Sequence, residues 1–284
     1  MESNLPRRAG APFADGVSQF GLLTDLVGTW MGSGFNLISL PLSDRASNPP
    51  FRLKLNATRE SLVFNALMAP IPNRGFGQGD MILFGLAYLQ IVGDAITNEP
   101  LHFEPGLWLN VPPVIAPAAP ANVVRLANIP HGTSLLAQGN ALRMAGRPNI
   151  IPVSSMPIDH QSRGAITDPD YLAPFNTTPL PTEIPQGAIE NPNLVLTNAI
   201  QNQIIVETIV LEIATSPIEG LLNIPFIKSN AEATRFNATF WIEKVQQPDA
   251  SGTFTMQLQY TQTVLLKFDG IDWPHISVAT LVKH

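Results

Sequence analysis

The chain is 284 residues long, 45 % apolar and only 13 % charged, against roughly 25 % charged in an average globular domain. Its 27 prolines and 20 glycines, with few Lys and Glu residues, exclude a mainly helical protein, and its supply of Ile, Leu, Val and Phe excludes a disordered one. The net charge of −6, with 16 basic residues in no run or face, makes nucleic acid an unexpected partner; the lack of cysteine removes disulfides, thiolate metal sites and thiol nucleophiles.

The opening MESNLPRRAGAPFADG has two arginines and no apolar run after them, so it does not read as a signal peptide. Nowhere do about eighteen consecutive apolar residues occur that would span a bilayer. A soluble, cytoplasmic protein with no membrane partner is expected. Residues 17–27 place Val17, Phe20, Leu23, Leu26 and Val27 at helical spacing, and Gly28 stops the helix. Strands follow near 29–38, 51–57, 60–68, 80–91, 101–109, 123–129 and 133–141. Residues 146–190 carry eight prolines and almost no periodicity, and read as an ordered flap over a barrel end. Asn191-Pro192 then reads as an N-cap and first helical residue, before the stripe Leu194, Leu196, Ala199, Ile200.

The last third is the most regular. Residues 203–213, QIIVETIVLEI, are β-branched enough for a strand buried on much of both faces. In 233–245, Phe236, Ala238, Phe240 and Ile242 alternate with Arg235, Asn237, Thr239 and Glu243, with Trp241 breaking the pattern. In 253–261 the alternation of Phe254, Met256, Leu258 and Tyr260 with Thr and Gln has a period of two, which only a strand satisfies. The tail 275–283 alternates likewise. About eleven strands in series, with no helical crossover, imply an all-β fold. The expected architecture is a closed antiparallel β-barrel of about ten strands, with its edges paired off. It forms one domain over 1–284, with 146–202 as an insertion.

Chemical motifs are sparse. No GxGxxG opens a helix after a strand, and neither GxSxG nor HExxH occurs. Most carboxylates sit beside turn residues (Asp44, Asp168, Asp170, Asp249, Asp269), and Glu207 and Glu212 point to opposite faces of one strand. The Asn-x-Thr sequences at Asn56, Asn176 and Asn237 read as chance matches. Of the five histidines, His284 is terminal and His160 lies in the insertion. His102 opens a strand, His131 sits in a turn, and His275 follows Trp273-Pro274. A lone strand histidine is structural by default, because a protein-only metal site needs more ligands. Heme is different, since one axial imidazole suffices. Ser277, Ala279 and Leu281 share a face with His275 and would leave room for a flat macrocycle. Trp30, with Gly32 and Gly34 beside it on the same strand, suits a bulky plug at a closed barrel end where backbones approach closely. Phe35, Phe64, Phe84, Phe103, Phe236, Phe240 and Phe254 supply core or cavity lining.

Four short segments, in order, resemble the nitrobindin-like heme-binding β-barrels, relatives of fatty-acid-binding proteins and lipocalins. Gly28-Thr29-Trp30-Met31-Gly32-Ser33-Gly34 is similar to their GTWxGxG opening. Leu101–Trp108 resembles their H-x-E-x-G strand, Pro130–Thr133 with Gln138-Gly139 their P-x-G hairpin, and Trp273–Leu281 their closing, heme-ligating strand. Region 142–232 has no counterpart in that family. The resemblance implies heme b with His275 as axial iron ligand, packed by Trp30, Thr29, Phe35 and Ala279. His131 and His102 would then be the distal acid/base groups, and the ligand nitric oxide, peroxynitrite or peroxide. Two further readings stand beside this one. The barrel could be a metal-free carrier of a small apolar molecule, or an enzyme such as a cyclase or isomerase acting on one. A homodimer is the candidate assembly.

Overall fold

A computed structural model of the chain describes residues 18–44, 46–112, 121–216, 219–248 and 252–284. The reading of the first sixteen residues and the placing of Val17 and Asp249 lie outside these. The strands are β1 (Gly28–Pro41), β2 (Phe51–Asn73), β3 (Met81–Asp94), β4 (Pro100–Asn110), β5 (Val123–Ile129), β6 (Thr133–Ala145), β7 (Ile158–Asp159), β8 (Ile204–Ala214), β9 (Leu221–Asn223), β10 (Glu232–Gln246), β11 (Phe254–Phe268) and β12 (Ile271–Lys283). The ten long strands follow the order β1-β2-β3-β4-β5-β6-β8-β10-β11-β12, and β12 returns to pair with β1. The fold is therefore the expected all-β, closed antiparallel barrel. Residues 51–57 and 60–68 are one strand rather than two, which reduces the predicted eleven to ten.

Closure needs two backbones at the seam to come very close. A Cβ on Gly34 would lie 2.2 Å from the Val278 carbonyl oxygen, and one on Gly32 would lie 2.1 Å from that of Thr280. Glycine is the residue that permits this approach. The lower end is closed by a 3-10 helix, Ser18–Leu26, whose Phe20, Leu23 and Leu26 are buried. Trp30 plugs the same end, fully buried and donating from Nε1 to the Leu26 carbonyl at 2.7 Å. Above it the interior is filled by Leu62, Phe64, Leu86, Trp108, Phe240 and Leu281.

A second core lies outside the barrel wall. Phe35, Leu37, Val210, Trp241, Ile276 and Val278 alternate along their strands with inward residues, and so point outward. They are covered by Ile150, Ile184, Ala188, Leu196 and Ile200 of the insertion. Trp241 breaks the polar pattern of its strand face for this reason. The insertion leaves from and returns to the lower end and runs along the outer wall. Its tip reaches the upper rim, where β7 pairs with Ile271 and Asp272. There Trp273 stacks on Phe268 (ring centroids 5.1 Å apart), and Phe51 and Tyr171 lie 4.3 and 6.0 Å away. The segment predicted to be irregular contains a helix, Pro169–Thr177, with Asp168 as N-cap and Pro169 in its first turn. A further short helix spans Pro225–Asn230. The helix expected after Asn191-Pro192 spans Leu194–Ile200, with Asn193 rather than Asn191 at its N-cap. Asn191 instead accepts from the Val153 backbone N–H through Oδ1 at 3.1 Å.

Candidate functional site

The upper half of the barrel interior is polar. Inward positions there are Asn36 on β1, Thr58 and Glu60 on β2, Gln90 on β3, His102 and Glu104 on β4, Arg125 on β5, Tyr260 and Gln262 on β11, and His275 and Ser277 on β12. They lie on β1–β5, β11 and β12, whereas the inward positions of β6, β8 and β10 stay apolar with Leu135, Ala137, Ile213, Phe236 and Ala238, so the polar groups form one side of the interior.

Arg125 is the centre of this band. It is 1 % exposed, with its guanidinium 5.2–5.7 Å from the ring centroids of Tyr88, Trp108, Phe236 and Phe240. It donates to Glu104, to the Tyr88 hydroxyl at 2.8 Å and to Gln262 Oε1 at 2.8 Å. Tyr88 also donates to Glu104. A charge this deep persists only when paired and hydrogen-bonded. Burial would raise the Glu104 carboxyl, but the Arg125 charge and the bonds from His102 and Tyr88 hold it at about 2. Glu60 goes the other way. Burial pushes it above the usual carboxylate range, although Tyr260, Thr58 and Gln90 all donate to it. Two buried carboxyls thus have their proton affinities driven apart, an arrangement that separates acid from base.

Three histidines lie at the upper end, His102 and His275 partly buried and His131 exposed in the β5–β6 turn. His102 Nε2 lies 3.0 Å from Glu104 Oε2. The His102 and His131 rings are 6.2 Å apart between centroids. Burial holds His275 neutral, its pKa lowered to about 3, and protonation of His102 or His131 nearby would lower it further. Burial and His102 lower His131 as well. His275 is partly buried. Its Nε2 lies 2.7 Å from Asn36 Oδ1, which also accepts from Ser277 Oγ at 2.9 Å.

The predicted site residues separate into two groups. His275, His131 and His102, from three distant segments, meet at the upper end. Trp30, Thr29, Phe35 and Ala279 do not surround them. Trp30 and Ala279 belong to the packed interior below, Phe35 points outward into the second core, and Thr29 alternates with inward Trp30 on the lower seam. Phe103 and Phe254 are exposed rather than lining. His160 does not reach the interior, because its Nδ1 is held at 2.8 Å by Asp272.

Heme requires a free imidazole Nε2 and apolar faces for the macrocycle. Here Nε2 is taken up by Asn36 Oδ1, and the inward groups beside His275 are Asn36, Ser277 and Gln262 with Val264 opposite it. This donor set does not fit iron ligation by His275. Among the described residues, no group of three or more His, Asp or Glu side chains could hold a metal ion.

Asn36, Glu60, Glu104 and Arg125 were not singled out from the sequence. The signal existed for Arg125, a charged residue between Val123 and Ala127 on the inward stripe of its strand.

No family model and no curated protein matches the chain. Among solved structures, the crystal structure of Rv2717c from M. tuberculosis is similar at 14 % identity with a TM-score of 0.45, covering 94 % of this chain and 97 % of that one. No described helix is long and apolar enough to cross a membrane.

Proposed function

We propose that the upper end of the barrel binds a small carbonyl-bearing molecule and moves a proton on it, as an isomerase or cyclase does. The observation that carries this reading is the His102–Glu104 pair. Glu104 is ionised and fixed by Arg125 and Tyr88, and it accepts the Nε2 proton of His102. That leaves Nδ1 as the basic nitrogen, in the arrangement by which a carboxylate orients a catalytic imidazole. Neutral His131 and the Asn36–His275–Ser277 cluster offer hydrogen bonds to a polar substrate atom from the other side of the space. The apolar residues below the polar floor are close-packed against one another, so the bound molecule meets polar groups first.

Binding is tested with cyclohex-2-enone as probe, following the imidazole resonances of the full chain by NMR. The reading expects the signals of His102, His131 and His275 to shift together and saturably. If shifts are absent, or fall only on His160 and His284, the chamber assignment is wrong.

A further inference from the structure

We infer a second binding site, on the outside of the barrel, for a neutral saccharide. A groove of about 380 Å³ lies where the insertion meets the outward faces of β6, β8, β10 and β11. This is within the range of small-ligand sites, roughly 300–1,000 Å³. It is unrelated to the interior chamber, because its side chains point to the opposite face of the same strands.

The chemistry of the groove is two-sided. One wall is the apolar run Ile151, Pro152 and Val153, with the Trp241 side chain beside it. The other is a field of Gln138, Glu212, Asn237, Thr239 and Thr263. Strand register assembles this field. Thr239 sits opposite Glu212 on one side and Thr261 on the other, while Asn237 sits opposite Ala214 and Thr263. Among the described residues these five side chains spend no hydrogen bond on the protein, so their donors and acceptors face the groove. Gln138, Glu212 and Asn237 are exposed, so a ligand reaches them without any rearrangement of the wall.

A sugar ring has the matching shape: C–H faces that pack on apolar and aromatic surface, and hydroxyls that each donate and accept. Amides and hydroxyls satisfy such groups, and Glu212, the one charged lining residue among those described, accepts from two hydroxyls at once. An anionic ligand is disfavoured by that carboxylate. The apolar wall is preformed. Asn193, 3 % exposed, donates to the Ile151 carbonyl at 2.7 Å and accepts from Thr261, and Asn191 holds the Val153 N–H.

The test titrates the full, isotope-labelled chain with glucose, N-acetylglucosamine, maltose and cellobiose. Saturable shifts of the Asn237 and Gln138 side-chain amides and of the Trp241 indole are expected with at least one of these. Asn237→Ala and Glu212→Gln, both at exposed positions, should each weaken binding about tenfold, as loss of one hydrogen bond to a ligand does. Unchanged thermal midpoints identify these losses as local. The inference is overturned if no saccharide gives saturable shifts, if both variants bind as the parent does, or if spermidine binds the groove more tightly through Glu212 than any sugar.

Discussion

Asn36 on the first strand and His275 on the last are joined by a 2.7 Å hydrogen bond across the seam that closes the barrel. Because Asn36 Oδ1 also accepts from Ser277, it acts as acceptor and His275 as donor through Nε2. The imidazole is therefore neutral, its pKa lowered to about 3 chiefly by burial, with the charge that His102 and His131 take on when protonated lowering it further. Between about pH 6.5 and 3 the unfolded chain binds a proton here that the folded chain does not, so stability is lost as pH falls through that window. In His275→Gln the midpoint of thermal unfolding should fall less steeply between pH 6.5 and 4 than in the parent. Parallel curves would contradict the assignment.

Glu104 and Arg125 stand or fall together. Glu104→Gln leaves a guanidinium that is 1 % exposed without its counter-charge, and removing one partner of a buried pair costs about 3–5 kcal/mol. Urea unfolding should show that loss. The double variant Glu104→Gln/Arg125→Met should regain most of it, since it removes the orphaned charge. A double variant as unstable as the single one would mean that the pair is not the unit that matters.

Glu243 sets the opposite pH dependence. It is buried on the outer wall, Gln257 donates to one carboxyl oxygen at 2.6 Å, and the other oxygen has no partner among the described residues. Burial pushes its pKa up to about 7. The folded protein keeps a proton that the unfolded chain releases above about pH 4.5, so stability falls as pH rises from there through 7. Glu243→Gln should be more stable than the parent at pH 8, by on the order of 3 kcal/mol, and equal to it near pH 4. Differential scanning calorimetry at the two pH values decides it.

The insertion is predicted to be part of the folding unit. Deleting 146–202 uncovers Phe35, Leu37, Trp241, Ile276 and Val278 on one outer face, and an exposed apolar patch of that kind drives aggregation. Trp273→Ala removes the ring shared by Phe51, Tyr171 and Phe268, at a cost of about 3–5 kcal/mol. Limited proteolysis should then cut within the insertion before the barrel strands. A soluble, cooperatively folded deletion variant would show that the outer core is dispensable.

The barrel was legible in the sequence because period-two alternation reports a half-buried strand directly, and it runs through 253–261 of β11, 275–283 of β12 and, but for Trp241, 235–243 of β10. The insertion was less legible. Its Asp168-Pro169 helix start is the same signal as Asn191-Pro192, but it lies among prolines that hide periodicity. The site was half legible. Histidines draw attention by residue type, so His102, His131 and His275 stood out singly. Their convergence depends on barrel shear, which no local pattern encodes. Asn36 and Glu60 look like ordinary polar strand residues until the pleat shows that they face inward. Phe35 misled for the same reason, since its neighbour Gly34 and not Phe35 takes the inward position.

The central claim is that His102, oriented by Glu104, is the base of an interior proton-transfer site. Its most direct test is the rate at which α-hydrogens of cyclohex-2-enone exchange in D2O with the parent, His102→Gln and His160→Gln proteins. Exchange faster than with an equal concentration of free imidazole, lost in His102→Gln and kept in His160→Gln, is the predicted result. A rate no faster than free imidazole, or one unchanged in His102→Gln, would contradict it.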